Sequence, residues 1–156
     1  MTTPAVVLDG VSVRYGSHQA LSSVSVEFPA GAVGLLGPNG AGKSTFMRLI
    51  TGQLRPSQGT VTVLGEPVWG HPGLFARVGF CPEQDAFYDR MSGFDWVAAL
   101  ARLGGLGDRE SREAAERALA AVDLTDASRK RIGAYSKGMR QRVKLAQALV
   151  HDPDLL

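Results

Sequence analysis

Cysteine is almost absent from this chain: Cys81 is its only thiol in 156 residues. An internal disulfide is therefore excluded, and an ordinary apolar core must hold the fold, which suits a reducing compartment. An excess of charge of one sign is lacking too. Lys and Arg number 17 against 15 Asp and Glu, and the resulting +2 is too small to imply a polyanionic partner. No apolar run approaches the roughly 18 residues that a bilayer span requires, so any membrane role must be played through a partner. Met1-Thr2-Thr3-Pro4 lacks the basic-then-apolar pattern of a signal peptide, and the expectation is a cytoplasmic chain. His18, His71 and His151 have no metal-ligand spacing with one another or with Cys81. The first two are expected in solvent-facing loops. His151 should follow a helix end, where a cation complements the dipole. Arg129-Lys130-Arg131, with Arg140, Arg142 and Lys144, carries no interleaved aromatics and reads as a solvated helical surface, so no nucleic-acid partner is expected. There is no internal repeat and no low-complexity tract.

Glycine, in contrast, is plentiful: 19 residues, with 8 prolines, punctuate an α/β pattern. The densest cluster, Gly37-Pro38-Asn39-Gly40-Ala41-Gly42-Lys43-Ser44-Thr45, fits Gly-x-x-x-x-Gly-Lys-Ser/Thr without mismatch. Glycines at these positions let the backbone take positive φ and turn successive N–H groups into one anion-sized hollow. A helix beginning near Lys43 adds its unpaired amides and positive dipole end. Lys43 can then reach the β- and γ-phosphates of a nucleotide, and the Ser44 hydroxyl is placed to ligate Mg²⁺. The flanks agree with this reading. Val33-Gly34-Leu35-Leu36 suits a buried strand, and Phe46, Leu49 and Ile50 recur at helical spacing.

Around this loop, Val6-Val7-Leu8 and Val11-Ser12-Val13-Arg14-Tyr15 flank Asp9-Gly10, and Val24-Ser25-Val26-Glu27-Phe28 alternates again; these read as antiparallel strands. Thr60-Val61-Thr62-Val63-Leu64, closed by Gly65, and Val78-Gly79-Phe80 read as two more. From about Asp85 the period is helical. Ser92 is the expected cap of a helix with Trp96, Leu100 and Leu103 on one face, broken at Gly104-Gly105-Leu106-Gly107. A second helix should run from about Arg109 to Val122 with Ala115, Leu119 and Val122 inward. A third should start near Ser136 and carry Val143, Ala146, Leu149 and Val150 to the stop at Asp152-Pro153.

Tyr135-Ser136-Lys137-Gly138-Met139-Arg140-Gln141-Arg142 opens that last helix, where small residues leave Ser136 and the amides of Lys137 and Gly138 uncovered, a second anion-ready helix end. On these residues and the phosphate loop, the chain resembles the nucleotide-binding domain of ATP-binding cassette (ABC) transporters, whose signature reads Leu-Ser-Gly-Gly-Gln. Ser136 and Gly138 match; Tyr135, Lys137 and Met139 depart in a way that looks like the subset paired with export-type (ABC-2-like) permeases. The resemblance implies an α/β fold: a P-loop NTPase core with an antiparallel β subdomain over residues 1–84, and an α-helical signature subdomain over 85–150. It implies that ATP and Mg²⁺ are bound by Gly37, Pro38, Asn39, Gly40, Ala41, Gly42, Lys43, Ser44 and Thr45, with Tyr15 stacked on adenine. Glu83, or alternatively Gln84, takes the place of the family's Q-loop glutamine, contacting the metal with Ser44 and sensing the permease; Lys43 and Glu83 are the catalytic candidates. Ser136 and Gly138 would face the nucleotide held by a second such domain, in a homo- or heterodimer on the cytoplasmic face of a polytopic permease. The family's general base follows the signature helix on the Walker B strand, of which residues 151–156 would be only the start. The expectation is therefore a fragment that binds ATP without hydrolysing it efficiently, from a parent that is an ATPase. A non-catalytic nucleotide-binding module, or a soluble ABC ATPase outside transport, is the alternative.

Overall fold

The computed structural model describes residues 3–156, which divide into two compact units, one ending at Phe75 and the other running Ala76–Leu156. In the first, β1 (Val6–Tyr15), β2 (His18–Phe28), β3 (Gln58–Val63) and β4 (Glu66–Pro67) form an antiparallel sheet in the order β2-β1-β3-β4, accompanied by α1 (Lys43–Ile50). Val6, Leu8, Val11 and Val13 of β1 are all buried. Their alternation contains one step of three, from Leu8 to Val11, which would turn Val11 to the opposite face of a regular strand. Gly10, at φ +58°, absorbs the extra residue in a β-bulge where the pairing with β2 shifts register. Asp9-Gly10 therefore does not separate two strands, as the sequence suggested. The chain reverses later, between Tyr15 and its cross-strand partner His18, so β2 starts six residues before Val24 and His18 is a strand residue rather than a loop residue. The bulge is closely covered: a Cβ on Gly59 of β3 would run into the Asp9 carbonyl and Gly10. β3 also begins earlier than expected and ends at Val63, with Leu64 at φ +52° leading the turn to β4.

Val33-Gly34-Leu35-Leu36, expected as a buried strand, forms no ladder with any strand among the described residues, and Leu36 is 92% exposed. An apolar run makes a buried strand only where neighbours take up its backbone N–H and C=O groups, and no described strand does so here.

The second unit packs α2 (Gly93–Leu103), α3 (Asp108–Ala121) and α4 (Lys137–Leu149) around one core. Ser92 caps α2 as the sequence indicates, its Oγ accepting from the Asp95 N–H at 3.0 Å and donating to Asp95 Oδ2 at 2.6 Å. The expected apolar face of α2 is corrected. Phe94, Val97, Ala98 and Ala101 are buried, whereas Leu103 is 84% exposed. The small residues of α2 meet Ala114, Ala115 and Ala118 of α3 in the same core, a stripe that permits close helix approach. Trp96 stays at the margin, where its indole N–H reaches Gln147 Oε1 at 3.0 Å and Phe87 and Tyr88 pack edge-on against its ring. Ala115, Leu119 and Val122 of the second expected helix are buried, as are Val143, Ala146 and Val150 of the third. The expected strand Val78-Gly79-Phe80 is reduced to one parallel bridge, Val78 with Leu155, and one bond from Gly79 N–H to the Leu155 carbonyl at 2.8 Å.

Tyr135 fixes the start of α4 from inside. Its ring is buried, its hydroxyl donates to the Ala127 carbonyl at 2.8 Å, and burial pushes its pKa up from the ordinary phenol value, keeping it a donor. Gly93 lies so close that an added Cβ would collide with this hydroxyl. Tyr135→Phe should cost about 1 kcal/mol in urea unfolding and Gly93→Ala about 1–3 kcal/mol. In the double variant the clash is relieved, so the loss should fall below the sum of the two; strict additivity would mean that they do not meet.

Candidate functional site

The phosphate-loop residues adopt the backbone that their glycines allow. Gly40 and Gly42 both sit at φ +86°, a region that costs a residue with a Cβ but not glycine. Gly42 is also the N-cap of α1. It brings no side-chain acceptor, and the first turn of α1 contains no acidic residue, so no side chain of that turn competes for the unpaired amides or repels an anion there. Lys43 is folded back over the loop, its Nζ donating to the Gly37 and Pro38 carbonyls at 2.7 Å each. Ser44 is exposed beside it, while Thr45 is turned inward and buried. Pro38, Asn39, Gly40 and Ala41 are exposed, and the Ala41 N–H closes the turn onto the Pro38 carbonyl at 3.2 Å.

This loop is seated on β2. A Cβ on Gly42 would meet Leu21 Cδ2 at 2.7 Å and the Ala20 carbonyl at 3.2 Å. Leu21 stands across from Val13, two residues before Tyr15, so the sheet brings the end of β1 to the neighbourhood of the loop. Tyr15 is 42% exposed there, an aromatic face that is not absorbed by the core.

In the second unit, Ser136 caps α4, its Oγ accepting from the Met139 N–H at 3.2 Å. Lys137 and Gly138 are exposed, and a Cβ on Gly138 would meet nothing within 4 Å. Glu83 and Gln84 are exposed on the segment before α2. That segment is tied to α4. Lys144 Nζ donates to the Glu83 carbonyl at 2.8 Å and pairs with Asp85 Oδ1 at 3.0 Å, while Arg140 reaches Asp89 at 3.0 Å and Asp85 at 3.8 Å. Lys144 is only 3% exposed, which corrects its reading as part of a solvated basic surface; an amino group that finds a carbonyl and a carboxylate no longer needs water. Sequence reasoning missed both Asp85 and Lys144. The available signal was a matched spacing of four, Asp85 with Asp89 and Arg140 with Lys144, the second pair one turn apart on a helix face. Arg129 stays exposed, with its guanidinium over the Phe94 ring, 3.8 Å from the centroid. Burial raises the Cys81 thiol pKa above its ordinary value, with the positive charge of Lys144 acting in the opposite sense. His71 pairs with Glu66 at 2.9 Å, and His151 Nε2 lies 3.2 Å from the Val78 carbonyl.

Residues 21–156 match the family model described as ABC transporter. The daunorubicin resistance ATP-binding protein DrrA3 of Streptomyces coeruleorubidus is 36% identical over 158 residues, covering 100% of this chain and 50% of that protein. The Nod factor export ATP-binding protein I of Sinorhizobium fredii is 38% identical, covering 97% of this chain and 45% of that protein. Among solved structures, cbiO1 of Clostridium perfringens, part of the ABC transporter complex cbiONQ, superposes with a TM-score of 0.83 at 26% identity, over 97% of this chain and 64% of that one. The chain spans about half the length of the curated relatives it matches.

Two glycines of the candidate site should respond oppositely to a methyl group. Gly42→Ala must strain a left-handed residue and displace Leu21, and should destabilise the first unit by about 1–3 kcal/mol. Gly138→Ala has open space and an ordinary helical backbone, and should change stability by less than about 0.5 kcal/mol. Thermal melts of the two variants against the parent chain check both.

Proposed function

Because the chain belongs to the ABC transporter family, we propose that it forms the nucleotide-binding part of the ATP-binding subunit of an exporter, working through a separate membrane permease. The observation that carries this reading is the phosphate loop itself: a glycine-capped helix end beneath a lysine whose ammonium is held by two neutral backbone carbonyls. Phosphate oxygens are stronger partners for that ammonium than carbonyls, because the acceptor then carries negative charge and a Coulomb attraction is added to the hydrogen bond. A triphosphate therefore draws Lys43 off Gly37 and Pro38, and the amides of residues 39–44 receive the anion. Ser44 offers its hydroxyl to Mg²⁺, and Tyr15 offers its ring to the adenine. Among the described residues no three His, Cys, Asp or Glu side chains gather as a metal site. Mg²⁺ typically binds through one or two protein ligands plus substrate phosphates, so here it would arrive with the nucleotide and neutralise charge at the transferring phosphoryl group.

The remaining roles rest on motif correspondence. Glu83, or Gln84 beside it, is assigned to the metal and to sensing the permease. Ser136 and Gly138 are assigned to the nucleotide of a second copy or homologous domain, an assignment supported by the open space at Gly138 and the cap at Ser136. Export is supported by the names of the relatives, daunorubicin resistance and Nod factor export, and by the Tyr135-Ser136-Lys137-Gly138-Met139 form of the signature. No described helix is long and apolar enough to cross a membrane; the assignment of the translocation path to a partner permease, with the subunit peripheral on it, is supported by the family. Residues 1–156 contain no position matching the family's general base. We assign them ATP binding, with efficient turnover left to the whole subunit, since such a base contributes typically 10²–10⁴-fold.

Lys43→Ala should bring binding of a fluorescent ATP analogue below detection in folded protein; wild-type affinity would remove the phosphate loop from the reading. Tyr15→Ala should weaken ATP by a stacking contribution of about 1–3 kcal/mol and leave inorganic triphosphate within about twofold, since the ring meets only the base. Equal losses for both ligands would make Tyr15 a packing residue.

A further inference from the structure

Lysine is an unusual residue to bury in the apolar flank of a helix. The Lys144 side chain is 4% exposed and stands between Val143 and Ala146, both fully buried. Burying an ammonium is expensive unless it is paired and hydrogen-bonded, so the position is tolerated only because acceptors are brought to it. Those acceptors are the Glu83 carbonyl at 2.8 Å and Asp85 Oδ1 at 3.0 Å. One turn earlier on α4, Arg140 repeats the arrangement further along the same segment, pairing with Asp89 at 3.0 Å and standing 6.0 Å from the Phe87 ring. The other ties of the segment lie at its far end, where the Tyr88 and Asp89 carbonyls accept from the Met91 and Gly133 N–H groups at 2.9 Å each and Phe87 and Tyr88 pack on Trp96. Among the described residues, no backbone N–H of residues 82–89 donates to a backbone carbonyl in a turn or loop bond, and residues 83–86 are exposed.

We infer that Lys144 is a positioning residue: it clamps the Glu83–Asp85 stretch onto α4, so that Glu83, Gln84 and the Ser136 end of that helix are held as one piece. The clamp acts on the backbone of Glu83, which leaves the Glu83 and Gln84 side chains free for a ligand. Arg140 fixes the far end of the segment and prevents it from hinging about the Lys144 contact. The consequence for nucleotide rests on the function proposed above: a loosened Glu83 stretch should lower affinity for Mg²⁺-ATP while leaving the phosphate loop's own affinity for metal-free ATP intact.

The bond after Glu83 provides a direct readout, because a glutamyl endopeptidase must draw that carbonyl away from Lys144 before cutting. Lys144→Met keeps the length and apolar stem and removes the charge. It should raise the rate of cleavage at Glu83–Gln84 by about tenfold, while cuts after Glu110, Glu113 and Glu116 in α3 stay within about twofold. Asp85→Asn, at a half-exposed position, keeps the fold and the carbonyl bond and should give a smaller rise, about threefold; it carries the test by itself if Lys144→Met does not fold. An unchanged Glu83 cut in the folded variants overturns the inference, and so does an equal rise at every glutamate, which would make Lys144 a general stabiliser. In parallel, Lys144→Met should weaken Mg²⁺-ATP about tenfold and ATP in EDTA less than twofold; a proportional loss of both overturns the positioning role. Selective cleavage at Glu83 in a protein whose wild type binds no ATP would support the clamp and overturn the nucleotide reading.

Discussion

Close backbone approach, at places where not even a methyl group fits, sets the packing of both units. In the first, Gly42 lies on Leu21, Gly59 lies on the Asp9-Gly10 bulge, and a Cβ on Gly52 would come within 2.6 Å of the Phe75 ring. In the second, Gly79 meets the Ala148 carbonyl at the end of α4 and Gly93 meets the Tyr135 hydroxyl. Each contact joins segments far apart in the chain and leaves no slack, because interiors packed to crystal density do not absorb an added atom without moving their neighbours. The functional consequence is clearest at Gly42. The same residue that caps α1 without a side chain also seats the loop on β2, so the amides of the helix end are fixed in direction before any ligand arrives.

That preorganisation has an electrostatic counterpart in Lys43. An ammonium close to a helix N-terminus sits in an unfavourable field, and here it turns to the carbonyls of Gly37 and Pro38, whose dipoles have the opposite sense. The loop is thus stabilised by the side chain that will later leave it. A polyanion reverses the balance, since it is attracted by both the helix end and the lysine, and the cost of breaking two ammonium–carbonyl bonds is offset by forming ammonium–phosphate ion pairs. Binding therefore asks for a side-chain rotation rather than a rebuilding of the loop.

In the second unit α4 serves as a spine. Its first turn is capped by Ser136 and fixed from within by Tyr135, its middle carries Arg140 and Lys144 to the acidic segment around Asp85, and its end lies against Gly79 beside the Val78–Leu155 bridge. The polar groups on this path are paired: no buried side-chain nitrogen or oxygen is without a partner among the described residues. A buried ion pair adds little net stability over an apolar replacement, but removing one partner strands the other at a cost of about 3–5 kcal/mol, so the two sides of such a contact must stay together.

The sequence by itself determined the features encoded within a few residues of each other. The glycine pattern before Lys43, the caps at Ser92 and Ser136 and the helical period of the second half all act locally, so the phosphate loop, the helix starts and the family were readable. The tertiary structure alone decided which neighbours complete a segment. It turned Asp9-Gly10 into a bulge, because the buried face of β1 had to continue past a step of three. It chose Phe94, Val97 and Ala101 over Leu100 and Leu103 as the buried face of α2, because the alanines of α3 admit only a close-packed stripe. It left Val33–Leu36 without a described partner strand, and it buried Lys144, whose acceptor on Glu83 is 61 residues away in sequence. A hydrophobic pattern states that a side chain or strand prefers cover; it does not state what provides it, because the energy of pairing resides in the partner and becomes definite only when the chain has brought the two together.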